Sequence, residues 1–478
     1  MVAKKFAVQV SLLIIVNLIV KLVWIFFIER KIQLLVGFEN YGLYYSIFNF
    51  TLILGFINDP GLTNYLIRFL ASKNENSFQI ANLFSLKILL SISYLLLTLL
   101  FSFISGYSNF QLIFILIGYQ ILWSFLIYLR GFLKGYQFLN AEVFFSILDK
   151  FLLIITLVPL FYLNKNINWT INLYALSQLI AVLISIILCY WILIRHKINL
   201  FFNISFKLNF SVLKPLMPFA IFAFLVLAYN KIDVVLLQKL LPNGSLATGN
   251  YAAAYRFLDA SNMLPILFAS LFYPVVSKNI IEKKHIGNFI KPGLSFLIAI
   301  SLIVCFGSWF YRENLMSLFY GAKSSKELAN IFGFLMFSAP LIVIYYVYST
   351  VLTANNNLKI LNIISAIGLV FNILLNIILI PNYGALGTAI TSFFTFLLIG
   401  LTEIYFYYRY FKQQNHLKIW LKVLLFGFLL MLLGNFVSYL NIAWIMEFSA
   451  FVVIAIIIAL VLKLFDYKVL KGILNVNG

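Results

Sequence analysis

The chain has 478 residues, 63% of them hydrophobic and only 10% charged, with a mean hydropathy of +1.02. Apolar runs of about 20 residues recur along its length, each long enough to cross a hydrocarbon core of about 30 Å. The formal net charge of +20 is lodged mainly in the gaps between those runs, so no soluble domain carries a basic face and a nucleic-acid partner is excluded.

Fourteen transmembrane helices are predicted, at roughly 7–28, 42–66, 79–105, 110–131, 141–163, 170–194, 213–239, 250–276, 289–311, 330–354, 358–380, 384–408, 417–439 and 442–464. Helix is required because lipid cannot satisfy open strand edges, and no ten-residue alternation signals a barrel. The first segment contains Lys21 and lacks a small-residue cleavage pattern, so it reads as a span and not as a cleaved leader. The second is interrupted by Asp59-Pro60-Gly61, where proline removes a backbone donor and glycine relaxes the chain. These three are hinge candidates, with simple helix packing as the competing reading. Asp149-Lys150 sits near the cytoplasmic end of the fifth helix, where an interfacial or pairing role is expected. A basic loop at about 195–214 follows the sixth.

The seventh helix holds Lys231 and Asp233, and the eighth holds Arg256 and Asp259. Pro215, Pro218, Pro265, Pro274 and Pro340 allow kinks from here onward. Glu403 stands alone in the twelfth helix, a candidate for binding a coupling Na+ or H+; otherwise it is a snorkelled or paired carboxylate. Leu440-Asn441 splits the last two helices. Cys189 and Cys305 lie inside apolar runs and read as ordinary buried residues, since two cysteines form neither a metal set nor a disulfide framework. His196, His285 and His416 fall in basic loops and read as solvated.

Lysines and arginines sort to alternate gaps. One set comprises Lys4 and Lys5, then Arg68, Lys73 and Lys87, Arg130 and Lys134, and Arg195, Lys197, Lys207 and Lys214. It continues with Lys278, Lys283, Lys284, Lys291, Lys359, Arg409, Lys412, Lys418 and Lys422, and ends with Lys463, Lys468 and Lys471. Those 23 face 7 in the opposite gaps: Arg30, Lys31, Lys165, Lys239, Arg312, Lys323 and Lys326. The positive-inside rule then puts both termini in the cytoplasm, as an even helix count requires.

Internal symmetry is weak but present. Tyr41-Gly42-Leu43-Tyr44 opens the second helix and Gly249-Asn250-Tyr251-Ala252 opens the eighth, and the same offset carries Lys21 to within a turn of Lys231. The expected organisation is an all-α integral membrane protein with two pseudo-symmetric six-helix lobes, 1–200 and 201–415. An additional helix pair and cytoplasmic tail would occupy 416–478. A cavity is expected between parallel repeats of this kind.

Gly37-Phe38-Glu39-Asn40-Tyr41-Gly42-Leu43-Tyr44, followed by Asn58-Asp59-Pro60-Gly61-Leu62 and Arg68, resembles the opening of the polysaccharide-export flippases. These form a branch of the multidrug/oligosaccharidyl-lipid/polysaccharide (MATE/MOP) superfamily. Lys231-Ile232-Asp233-Val234-Val235 with Gly249-Asn250-Tyr251 and Ala254-Tyr255-Arg256 is similar to their seventh and eighth helices. Asn372-Ile373-Leu374-Leu375-Asn376 and Leu379-Ile380-Pro381-Asn382-Tyr383-Gly384-Ala385-Leu386-Gly387 continue the likeness in the right order. The resemblance implies a MATE-like fold and a flippase for undecaprenyl-diphosphate-linked O-antigen or capsule units in the cytoplasmic (inner) membrane. Other polysaccharide-assembly proteins and membrane lipids would be its partners. Many such flippases have twelve helices; the extra pair resembles the fourteen of lipid-II flippases.

The residues add a chemical argument. Intramembrane charge is expensive, so Lys21, Lys231, Asp233, Arg256 and Asp259 are candidates to line a cavity. Lys21, Lys231 and Arg256 lie at similar depth, about 10 Å from the outer helix ends at 1.5 Å per residue. Such a layer suits a diphosphate, while Asn17, Asn49, Gln120, Tyr229, Asn230 and Asn262 suit sugar hydroxyls. Snorkelling of Lys21 and Lys231, and an internal Arg256–Asp259 tie three residues apart, are the competing readings. Two other functions stay open. A cation-coupled drug antiporter should favour carboxylates over the cations seen here. A membrane polysaccharide polymerase needs a large outer loop, and the longest outer gap is only about 312–329. Neither catalytic residues nor a bound metal or cofactor is expected, beyond the coupling ion.

Overall fold

The computed structural model describes residues 16–72, 77–163, 168–198, 210–283, 286–411, 417–440 and 442–465. Outside the described residues lie the predicted start of the first helix, most of the 195–214 loop, Asn441 and the tail after 465. So do Lys4, Lys5, Lys73, Lys165, Lys207, Lys284, Lys412, Lys468, Lys471, His285 and His416.

Every regular element among the described residues is helical. The helices are α1 (16–36, with a π-helical stretch at Trp24–Glu29), α2 (Phe38–Leu54), α3 (Leu62–Ala71), α4 (Ser77–Ile104), α5 (Phe110–Gly135), α6 (Leu139–Leu163) and α7 (Ile171–Arg195). There follow α8 (Met217–Leu240), α9 (Gly244–Ser261), α10 (Met263–Ile281), α11 (Gly287–Phe310), α12 (Arg312–Tyr320), α13 (Lys326–Leu335) and α14 (Ser338–Ala354). The run Leu358–Tyr410 kinks at Gly384, whose φ of 55° no ordinary L-residue adopts easily, giving α15 (358–383) and α16 (385–410). The chain continues into α17 (Leu417–Ser438) and α18 (Trp444–Val461).

Eleven helical runs among the described residues are long and apolar enough to cross a membrane. The predicted fourteen counts Leu358–Tyr410 twice and adds the first two segments, which fall short of that criterion. Two predicted helices, 250–276 and 330–354, are each divided. Pro265 and Pro340 explain both divisions, since neither can donate to the carbonyl four residues earlier. The Met336 carbonyl takes the Ala339 N–H instead, at 3.1 Å. Pro274, by contrast, sits inside α10 without ending it.

The chain packs as two compact units, Met1–Gln238 and Lys239–Gly478. Most of α8 belongs with the first, where Phe224 packs against Phe56 with ring centroids 4.3 Å apart. The lobes drawn at 200 and 415 remain an expectation about function. Outward faces are apolar: Leu96 and Phe103 on α4 are 61% and 73% exposed, and Leu424 on α17 is 69% exposed. A water-soluble protein does not display such continuous surface; a lipid-facing one must.

Lipid tails are as apolar as leucine, so close packing and polar bonds hold the helices together. In the first unit Gly131 and Gly135 of α5 form a small-residue face against α3. A Cβ on Gly131 would stand 3.1 Å from Thr63 Cγ2, and one on Gly135 would stand 2.6 Å from Leu70 Cβ. Leu62, Leu66, Leu129, Phe132 and Leu133 close the core around that contact. In the second unit Tyr348 of α14 meets Tyr407 of α16 edge-on at 5.0 Å, and Gly434 of α17 lies under Phe310 of α11. Cys189 and Cys305 are buried and unlinked, as their apolar setting suggested. Gly135→Leu is expected to destabilise the protein by about 1–3 kcal/mol through overpacking. Gly427→Ala, whose added Cβ would meet Phe306 at 3.9 Å, should be neutral. Thermal melts of detergent-purified protein check this; equal midpoints would remove the α3–α5 contact from the account.

Candidate functional site

The break between α2 and α3 builds the main polar centre of the first unit. A short 3-10 turn, Gly55–Ile57, ends α2, and the helix is interrupted at Asn58, Asp59 and Pro60. Gly61, in the left-handed region at φ 88°, then starts α3. Asp59 caps that helix: its Oδ1 accepts the Thr63 N–H at 3.2 Å, and its Oδ2 accepts the Thr63 hydroxyl. A carboxylate at a helix N-terminus also faces the positive end of the helix dipole.

Behind the break lies Lys87 of α4, completely buried. Its Nζ donates to the Asn58 carbonyl at 3.0 Å and to the Ser124 hydroxyl, and it stands 3.4 Å from Asp59 Oδ2. Ser91 donates to Asn58 Oδ1 at 2.7 Å, and Asn58 Nδ2 reaches the Gln120 carbonyl at 3.4 Å. Helix α4 thus supplies a cation and a hydroxyl to polar groups that the break leaves without helical partners. This corrects the sequence reading of Lys87 as a gap residue. It lies well inside a span, and the signal was present in its polar neighbours Asn82, Ser85 and Ser91 at helical spacing.

In front of the break is a cavity of about 370 Å³, lined by residues of α2, α3, α5 and α8 together with the break itself. Asp59, Asn64, Gln120 and Ser124 give it polar groups; Trp123 and Phe224 give it aromatic wall. Lys134 also borders it, held 3.3 Å from Glu142 Oε1. Arg130 grips the same carboxylate with two bonds, Nη2–Oε1 at 2.6 Å and Nε–Oε2 at 3.1 Å.

The other sequence candidates are distributed over both units. Lys21 is exposed on α1; Lys231 is half-buried and Asp233 buried on α8. In the second unit Arg256 is buried on α9 and donates Nη1 to the Tyr320 hydroxyl at 2.9 Å, and Asp259 is half-buried one turn on. The Arg256 guanidinium thus reaches across to α12. Glu403 is buried on α16. Lys150 does meet Asp149, at 3.3 Å. Of the six hydroxyl-binding candidates, Gln120 lines the cavity, while Asn49 and Asn230 donate to carbonyls of their own helices at 2.7 Å.

This is the fold of a multi-pass membrane protein. Over 98% of this chain and 99% of the other it superposes on the lipid II flippase MurJ in an inward closed conformation, with TM-score 0.69 and 18% identity. An inward-facing multidrug resistance MATE family transporter of the MOP superfamily matches over 84% of this chain and 100% of its own, with TM-score 0.58 and 14% identity. Likeness at such identities speaks of fold alone. The sequence goes further: the model of the polysaccharide biosynthesis protein family matches residues 3–280, and the MatE model matches 218–378. The chain belongs to the polysaccharide biosynthesis protein family. An uncharacterized membrane protein of Methanocaldococcus jannaschii is 38% identical over 61 residues, 13% of this chain and 12% of that one.

Proposed function

We propose that the protein is a flippase that moves an undecaprenyl-diphosphate-linked oligosaccharide across the cytoplasmic membrane by alternating access, for O-antigen, capsule or exopolysaccharide assembly. The observation that carries this reading is the family match over residues 3–280, on a chain whose fold is also that of a flippase. Lys21, Lys231 and Arg256 would bind the diphosphate, with Asp233 and Asp259 setting their charge balance. Glu403 would bind the coupling Na+ or H+, and Asp59, Pro60 and Gly61 would serve as a hinge. Both termini would lie in the cytoplasm, and other polysaccharide-assembly proteins would receive the product.

The test is reconstitution of the full chain in vesicles loaded with a fluorescent polyprenyl-diphosphate oligosaccharide. Protein-containing vesicles should expose to an external quencher the inner-leaflet half that empty vesicles protect. Equal protection in both would end the flippase reading. The MatE match over 218–378 favours a second reading, a cation-coupled drug antiporter. Ethidium movement driven by a Na+ or H+ gradient in the same vesicles would support it, and none is expected.

A further inference from the structure

We propose that the cavity in front of the α2–α3 break is a saccharide subsite, which recognises a sugar ring of the transported lipid by its hydroxyls and its apolar face. This deepens the flippase reading and rests on it. At about 370 Å³ the cavity falls within the range of about 300–1,000 Å³ usual for small-molecule sites. Its lining has the two-sided character of a pyranose, with aromatic wall at Trp123 and Phe224 and hydrogen-bonding groups at Asp59, Asn64, Gln120 and Ser124.

Gln120 supplies the independent evidence for a ligand. It is only 4% exposed, and its Nε2 has no acceptor among the described residues. A buried donor left unmatched is destabilising by about 1–3 kcal/mol, and among the described residues Gln120 is the one such group that lines this cavity. A ligand hydroxyl entering the cavity that Gln120 lines would supply the missing acceptor. Asp59 supplies the complementary group: its side chain is 18% exposed. A carboxylate has about four lone-pair sites, so bonds to Thr63 and Lys87 leave room to accept from a sugar hydroxyl. The Lys87, Ser91 and Asn58 bonds hold the break in one geometry, so the acceptor is fixed before the ligand arrives.

Charge argues for a neutral ligand part here. The Asp59 carboxylate is balanced by buried Lys87 at 3.4 Å. At the border Lys134 and Arg130 share one carboxylate, Glu142, so one positive charge is left over there. The interior, where Asp59 and Lys87 balance, suits polyol chemistry.

The experiment is isothermal titration of the full detergent-purified chain with farnesyl diphosphate, bare and carrying glucose, galactose, mannose, rhamnose or N-acetylglucosamine. The parent should bind at least one glycosylated lipid about tenfold more tightly than the bare lipid. Gln120→Leu and Trp123→Ala should each erase that preference and leave bare-lipid affinity unchanged. Trp123→Tyr, which keeps an aromatic face and guards against misfolding of the Ala variant, should retain it. No preference in the parent for any member, or equal loss for glycosylated and bare lipid in the variants, overturns the subsite. Binding of the free sugars as tight as that of the lipid-linked ones would also overturn its place on the transport path. Vesicle flipping separates the two claims: a parent that keeps the preference but does not flip defeats the proposed function and leaves the subsite standing.

Discussion

Lys87→Met is expected to lower stability toward the lower end of about 3–5 kcal/mol, the range for removing one partner of a buried ion pair. The substitution keeps the length and apolar stem of the side chain but removes the charge that balances Asp59 at 3.4 Å. It also leaves the Asn58 carbonyl and Ser124 hydroxyl without their donor. The 18% exposure of Asp59 lets water offset part of the effect, which sets the lower bound. Adding Asp59→Asn should recover much of the loss, since an apolar residue facing a neutral amide no longer strands a charge. Thermal midpoints of the parent, both single variants and the double variant form a cycle. A Lys87→Met protein as stable as the parent would mean that the buried cation does not hold the break.

The second large effect concerns transport. Lys231→Ala and Arg256→Ala are each expected to slow flipping about ten- to hundredfold. A charge-assisted bond to phosphate contributes about 1.5–3 kcal/mol, and each 1.4 kcal/mol is a factor of ten. Lys21→Ala belongs to the same set, and its exposure makes it the sharper test, because a lysine that only snorkels would leave the rate unchanged. The triple variant should show no flipping and no surface polysaccharide in cells while remaining monodisperse. Tyr320→Phe removes the 2.9 Å bond to Arg256 and the hydroxyl's 3.3 Å bond to the Ala253 carbonyl but keeps the guanidinium, so it should reduce the rate less than Arg256→Ala. A folded triple variant with parental flipping would refute the cationic binding site.

Much of the architecture was readable from the chain because the membrane imposes one rule, about 20 apolar residues per crossing. The helix ends near 110, 310, 417 and 438 fall close to the predicted ones. Divisions within spans were less legible. Proline marks where a break is allowed but not where it occurs: Pro265 and Pro340 divide helices, and Pro274 does not. The π-helical stretch at Trp24–Glu29, where Trp24 donates to Glu29 at 3.1 Å, has no local signature of that kind.

The site was half legible. Asp59-Pro60-Gly61 announced itself as an interruption, and Gln120 as a polar residue in an apolar run. Lys87 was assigned to a gap because a lysine near a helix end usually serves topology. Its role depends on Asn58, Asp59 and Ser124, brought together from 28 to 37 residues away, which no local pattern encodes. Arg256 likewise donates to Tyr320, 64 residues on, a contact that its neighbours in the chain do not announce.

The α2–α3 interruption also bears on how the polypeptide is made. Helix α3 has 10 residues, about 15 Å at 1.5 Å per residue, half the thickness of the oily layer it must help to fill. Lys87 within α4 would cost about 2.5–3.5 kcal/mol to insert alone near the bilayer centre. Helix α3 is a poor passenger by itself, and the lysine weakens an α4 that is otherwise apolar enough to cross; together they offset one another's defect. Ribosome-bound fragments ending after α4 should integrate more completely when residues 38–71 precede it than when α4 is presented alone, so that the third crossing gains from the second during synthesis.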